Sequence, residues 1–381
     1  MDWRVPLADI DFGAEEEEAV QQVIHSRWLS MGEQTQNFEK EFADFIGAKH
    51  AVAVTNATAA LHLACLAVGL KPREEVVLPS LTFVATANAV RYTGAIPIFA
   101  DIESQDWLTI SPASIQKHIT NKTRAILVMH YAGYPCDMTA ILEIARRHDL
   151  AVIEDSAHAV GSELGGRKLG TLGQIGCFSF FSNKNMTTGE GGMLTTDDDA
   201  LAERLKILRS HGMTSLSWDR HKGHAWSYDV VDLGYNYRMD EMRAALGRVQ
   251  LKKVSANNQR RAALTDLYRE LLAKLTPDIK MPFAASRGTS CFHILPILLP
   301  AGTDRIRFME GMKARGVQTS IHYPPVHQFQ IYRTRARWTN GLLPVTEQAA
   351  AREVTLPLYP AMQEADVEWV AESVRKSLQT L

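Results

Sequence analysis

The sequence predicts an α/β protein with a large, doubly wound, mostly parallel sheet and a smaller C-terminal α+β domain. Three observations predict it. Between residues 51 and 195, short apolar and β-branched runs alternate with longer amphipathic stretches, the pattern of repeated βαβ units. From 240 to 274 one helical pattern continues without a break, long enough to bridge two domains. At 381 residues the chain exceeds what one ordinary core supports and suits two.

The strands are read in order as AVAV at 51–54, VVL at 76–78, IPIF at 96–99, AILVM at 125–129, AVIE at 151–154, CFSFF at 177–181 and GMLTT at 192–196. Amphipathic segments at 58–68, 86–92 and 138–148 are long enough to cross over and cover the sheet. A further helix runs from about 198 to 211. After the bridging helix, MPF, FHILPILLP, VQTSIHYPP and a final helix from about 364 make up the smaller domain. The division is set near residue 250, giving a large domain at 1–250 and a small one at 251–381.

Composition narrows the function classes. Apolar residues are 46% and charged residues 22% of the chain, both ordinary for a folded globular protein, and the net charge is -2. With no basic surplus, neither nucleic acid nor an anionic membrane is an expected partner; a small molecule is. The four cysteines stand singly, which argues against a zinc site or a disulfide framework and fits a reducing cytoplasm. The first residues, MDWRVPLADIDFGAEEEEAV, are acidic where a secretory signal would need an apolar core, and no run of about 18 apolar residues occurs, so neither export nor membrane anchoring is expected. No G-x-G-x-x-G follows the first strand, so a nicotinamide dehydrogenase is a poor reading.

The chemistry centres on CFSFFSNKNMTTGEGGML, where Lys184 follows an apolar strand and precedes Gly189, Gly191 and Gly192. A lone lysine in a loop is usually a solvated surface residue. At the end of a buried strand an ammonium is penalised by desolvation, and a lysine with a lowered pKa forms imines. In IEDSAHAVGS, Asp155 ends a strand and so puts a carboxylate at the sheet's C-terminal edge, where ligands bind in open α/β sheets. Pyridoxal phosphate needs such a carboxylate, because it acts as an electron sink only while its ring nitrogen stays protonated. His158 either hydrogen-bonds the cofactor's phenolate oxygen or caps the turn; the residues alone leave the two equal. TNATAALHLACLAVGL opens a helix directly after a strand. Its first amides, those of Thr58 and Ala59, suit a phosphate, although an ordinary helix cap reads the same way. Ser179 adds a hydroxyl, and Phe83 offers a ring face to the pyridine or else belongs to the core.

Together TNATAALHLA, LPSLTFVATANAV, IEDSAHAVGS, FSFFSNKN with GEGG, and LGYNYRMDEMRAALG resemble the DegT-type sugar aminotransferases, pyridoxal-phosphate enzymes of fold type I. The resemblance runs from WLSMGEQTQNFEKEFADFIG to TLPLYP, nearly the whole chain. It implies that Lys184 carries pyridoxal 5'-phosphate as a Schiff base and shuttles the proton. It further implies that Asp155 pairs with the ring nitrogen, His158 lies beside the phenolate oxygen and Phe83 stacks on the ring. Thr58, Ala59 and Ser179 take the phosphate, joined by Asn236 from the neighbouring subunit of a homodimer. Glutamate, or glutamine in some relatives, is the implied donor, and a nucleotide-linked keto sugar is the implied acceptor. Family dehydratases have histidine at the lysine position, so Lys184 places this chain with the aminotransferases; a cofactor-binding sensor without turnover is the other alternative.

Two histidine-rich segments remain. HGMTSLSWDRHKGHAW, with His211, His221 and His224, lacks an accompanying set of metal ligands and is read as a substrate-side loop. SIHYPPVHQF holds His322, Tyr323 and His327, and the family resemblance implies a loop near the sugar or its diphosphate.

Overall fold

The structure, a computed structural model, describes residues 3–214, 227–285, 287–333 and 343–380. In chain order its strands begin with β1 (His50–Val54), β2 (Glu75–Pro79), β3 (Ile96–Ala100), β4 (Thr123–Met129) and β5 (Ala151–Asp155). A small hairpin follows, β6 (Glu163–Leu164) and β7 (Arg167–Lys168), and then β8 (Ile175–Ser179) and β9 (Gly192–Thr196). Seven of these form one sheet in the order β1-β9-β8-β5-β4-β2-β3. Neighbours from β8 to β3 run parallel, whereas β9 is antiparallel to both β1 and β8.

Because β1 and β8 both oppose β9, the C-terminal ends of β1, β2, β4, β5 and β8 lie along one edge. The direction of winding reverses between β2 and β4, where such sheets open a crevice. Helices cover both faces, so the strands are apolar throughout rather than alternating. Val76, Leu78 and Leu127 pack into one cluster with Leu61 and Leu63 of the Ala57–Ala67 helix. Val77, Ile126 and Val128 pack into another with Ile141 and Ile144 of the Met138–His148 helix. Crossovers start on short polar side chains. Asn56, Asp137 and Asp198 accept from the amides of Ala59, Ala140 and Ala200, which satisfies helix-end donors and fixes where each helix begins.

The strand expected at 177–181 lies two residues earlier, at Ile175–Ser179. Glycine at 176 weakens the strand pattern, yet it is required: a Cβ there would come within 2.2 Å of the Gly170 carbonyl oxygen.

The Glu241–Leu275 helix, capped by Asp240, passes through residue 250 and serves two cores. Ala244, Leu251 and Val254 pack with Phe38, Phe42, Phe178 and Phe180, whereas Leu264, Tyr268 and Leu272 pack with C-terminal residues such as Ile297, Val354 and Val370. That second core is built on the antiparallel pair β10 (Leu295–Leu298) and β11 (Glu353–Leu356), with the Arg305–Ala314 and Glu364–Gln379 helices alongside. Val5 joins it from the N-terminal end of the chain and bridges to Val317.

Candidate active site

A cavity of about 420 Å³ opens at the C-terminal edge of the sheet. Five strand ends supply its wall: Asn56, Ala57 and Thr58 after β1, Phe83 after β2, Met129 at the end of β4, Asp155 at the end of β5 and Ser179 at the end of β8. Lys184 and Asn183 enter from the turn after β8, and His322 and Tyr323 close the C-terminal side. A wider groove of about 1060 Å³ runs along the outer strand β3 past Asp101, Ser114 and Lys117, and contains none of these residues.

Lys184 sits in the wall with its amine desolvated by the protein around it. Burial pulls it down from 10.5 to about 8, against the Asp155 carboxylate and the Cys291 thiol, which favour the ammonium. A lysine so placed holds a substantial neutral fraction near physiological pH and is a nucleophile. Its Nζ lies 3.3 Å from Nε2 of His293.

Asp155 is buried. Burial pushes its carboxyl above the usual range, while hydrogen bonds from the Thr86 hydroxyl at 2.7 Å and the Ala157 amide at 3.2 Å favour the ionised form, as does Lys184. The preceding residue, Glu154, points to the other side of the strand. Its carboxylate accepts from the amides of Gly170, Leu172 and Gly173 and pairs with His130 at 2.9 Å, which fixes the loop behind β5. His158 accepts from the Ala132 amide at Nδ1, 3.3 Å away, so its Nε2 carries the proton and donates to the Tyr323 hydroxyl at 2.9 Å. Burial, reinforced by Lys184 and His322, holds His158 neutral, well below the usual histidine value.

The start of the Ala57–Ala67 helix also lines the cavity. Residues 57 and 58 are the first two of a helix, so their amides have no intrahelical acceptor. β9 passes directly beneath this helix start. A Cβ on Gly192 would lie 2.6 Å from the Asn56 carbonyl carbon and 2.8 Å from the Ala57 nitrogen, so only glycine leaves the cradle in place.

The structure thus brings Thr58, Phe83, Asp155, His158, Ser179 and Lys184 into one cavity wall. Ala59 is not in that wall, because its amide is taken by Asn56 Oδ1 at 2.8 Å; Ala57 stands in its place. Asn236 is exposed, outside the cavity of its own chain, in a bridge with Ser210. His327 also lies apart, between Ser80 at 2.6 Å and Glu347 at 3.1 Å. His221 and His224 fall outside the described residues. Among the described residues no cluster of metal-ligating side chains occurs, and no helix is long and apolar enough to cross a membrane. All four cysteines are free and buried.

Sequence reasoning passed over Thr86, Asn183 and His293. Thr86 follows Thr82 by one helical turn in an otherwise apolar stretch, and the two hydroxyls meet at 2.8 Å. Asn183 Oδ1 is a buried acceptor with no hydrogen-bond partner among the described residues, and Asn183 lines the cavity. His293 was signalled by an imidazole inside the apolar run CFHILPILL.

An amine-bearing lysine, a buried carboxylate and a helix start with free amides in one cavity fit pyridoxal phosphate, whose aldehyde, ring nitrogen and phosphate these three groups would hold. On a mostly parallel sheet of this order, they define an enzyme of the fold-type I aminotransferase architecture. The sequence profile of the DegT/DnrJ/EryC1/StrS aminotransferase family matches residues 11–375. The chain is 40% identical over 368 residues to the spore coat polysaccharide biosynthesis protein SpsC of Bacillus subtilis, covering 95% of this chain and 94% of SpsC. Its fold is similar to that of PseC from Helicobacter pylori, an aminotransferase involved in the biosynthesis of pseudoaminic acid. The TM-score is 0.92 at 29% identity, over 100% of both chains. It is similar also to DesI in the presence of its TDP-sugar product, with a TM-score of 0.88 at 32% identity over 100% of this chain and 94% of that one. The chain belongs to the DegT/DnrJ/EryC1/StrS aminotransferase family and is an aminotransferase.

Proposed function

We propose that this aminotransferase moves an amino group from glutamate, or glutamine, to the keto group of a nucleotide-linked sugar, with pyridoxal phosphate held on Lys184. The observation that carries the reading is the meeting of the Lys184 amine, the Asp155 carboxylate and the free helix start at 57–58 in one cavity. When bound, the cofactor supplies the electron sink that stabilises negative charge at the carbon losing its proton. The chain's residues do the rest. Lys184 binds the cofactor covalently and, once released, carries a proton between the two reacting carbons. Asp155 keeps the ring nitrogen protonated, with Thr86 holding the carboxylate in its ionised form. His158, fixed by Ala132 and Tyr323, presents a neutral ring beside the cofactor. Ala57, Thr58 and Ser179 take the phosphate, and Phe83, exposed at the cavity, covers a ring face. Asn236 reaches the phosphate from a second copy of the chain, in a homodimer.

The sugar reading is supported by SpsC, named for polysaccharide biosynthesis, by PseC, involved in the biosynthesis of pseudoaminic acid, and by DesI, whose product is a TDP-sugar. His322 and Tyr323, which line the cavity on its C-terminal side, are the groups for the sugar. The test is to load the enzyme with pyridoxamine phosphate and offer keto sugars with and without a nucleotide. The visible band of the aldehyde form should return with a nucleotide-linked keto sugar, and simple keto acids should serve only as products of the donor half. Efficient exchange between amino acids, with no response to any keto sugar, would defeat the reading.

A further inference from the structure

His293 lies outside every role assigned above, yet its ring nitrogen Nε2 is within hydrogen-bond reach of the Lys184 amine, at 3.3 Å. Its tautomer can be read from its surroundings. Asn258 Nδ2 meets the Val160 carbonyl at 2.9 Å, and a carbonyl can only accept, so the Asn258 amide has its oxygen turned toward Asn185. Asn185 Nδ2 meets that oxygen at 2.7 Å and the Cys291 carbonyl at 2.8 Å, which fixes the second amide the same way. Asn185 Oδ1 therefore faces His293 Nδ1 at 2.9 Å as an acceptor, and Nδ1 must carry the proton. The lone pair left on Nε2 points at Lys184 Nζ. Two backbone carbonyls thus determine, through two amides, what the imidazole offers the lysine. His158, with ring centroids 4.2 Å away, is held in the opposite tautomer.

We propose that His293 is a positioning residue for Lys184, accepting a hydrogen bond from its amine through an Nε2 lone pair that the Asn258–Asn185 relay keeps unprotonated. This rests on the reading of Lys184 as the cofactor lysine. While the amine is free, one N–H is held on His293, and its own lone pair turns away from the imidazole toward the cavity whose wall Lys184 forms. The groups facing this pair are Asp155 at the end of β5, His158 in the turn after it, Cys291 two residues before His293, and His322 from the C-terminal loop. Arg261 of the long helix reaches the His293 carbonyl at 3.2 Å. Burial, with His158, Lys184 and Arg261 adding to it, keeps His293 neutral, so it remains an acceptor through the neutral range.

The experiment reads Lys184 itself in the full-length chain before cofactor is added. Acetic anhydride labelling across a pH series, with Lys184 followed by peptide mass mapping, gives its titration midpoint. His293→Asn keeps a donor near Nδ1 but loses the acceptor at Nε2, and His293→Gln puts an amide oxygen near Nε2. A hydrogen bond to the ammonium favours the charged form, so the midpoint should fall by about one unit in His293→Asn and recover in His293→Gln. Equal midpoints in all three proteins, or equal shifts in both variants, would overturn the proposal. Nitrogen-15 spectra of histidine-labelled wild-type protein need no variant to fold. They should show His293 neutral and protonated on Nδ1, and protonation on Nε2 would overturn it. Neither readout uses the cofactor, so a cofactor found on another lysine would remove the proposed function and leave these results standing.

Discussion

Asp155 is drawn two ways, by burial toward the neutral acid and by Thr86, Ala157 and Lys184 toward the carboxylate. Only the carboxylate keeps a ring nitrogen protonated, so activity should fall on the acid side as pH drops through the Asp155 pKa. Thr86→Val removes the 2.7 Å hydroxyl donor at little change in shape. It should move the acid limb of the kcat profile to higher pH by about one unit, with an unmoved limb excluding the Thr86 role. At Lys184 the folded amine titrates at about 8 and the unfolded one at 10.5. Between those values the unfolded chain holds more protons, so stability rises with pH; below about 8 both states are protonated and the full cost of burial remains. In cofactor-free protein, Lys184→Met should therefore be more stable at neutral pH by up to about 3 kcal/mol. That difference should vanish toward high pH in denaturant titrations. Lys184, Asp155, His158 and Ser179 were legible because each lies at the end of a strand or in the turn just after it, a position that apolar runs reveal. The Lys184–His293 contact spans 109 positions, and no local pattern encodes such a meeting.

Elements were legible where the local chemistry was unambiguous. The Met138–His148 helix and the Gly192–Thr196 strand end where the sequence places them, the first between the Asp137 cap and a left-handed Asp149. β8 was misplaced because its glycine answers to a loop packed across the strand, a tertiary demand that strand propensity does not contain. β11 was missed because it begins on Glu353, buried and pushed up to about 8 by that burial, with Thr355 and the His322 amide as partners. The helix start at 57 and strand β9 depend on one another through Gly192. Gly192→Ala should force them apart, costing about 1–3 kcal/mol in stability. It should also reduce the rise in Tm that pyridoxal phosphate gives. A normal cofactor-induced rise in Tm would mean that the phosphate sits elsewhere.

For the whole molecule, the sequence made the doubly wound sheet and the long helix readable, because periodicity reports which faces are covered. Assembly is a different matter, since a surface that binds a second copy has no distinct period. Asn236 is exposed on its own chain, close in sequence to exposed Val230, Val231 and Leu233, as expected of a residue that serves a neighbour. In the proposed homodimer, a mixed pair of Lys184→Ala with Asn236→Asp would contain one site with both native residues. Activity should return on refolding the two inactive variants together, and confirmed hybrids without activity would confine Asn236 to its own chain. The most direct test of the account lies at the lysine. The cofactor-loaded enzyme is reduced with borohydride, digested and mapped by mass. The account predicts one modified peptide, with the cofactor fixed to Lys184; a modification on any other lysine, or none with cofactor bound, would contradict it.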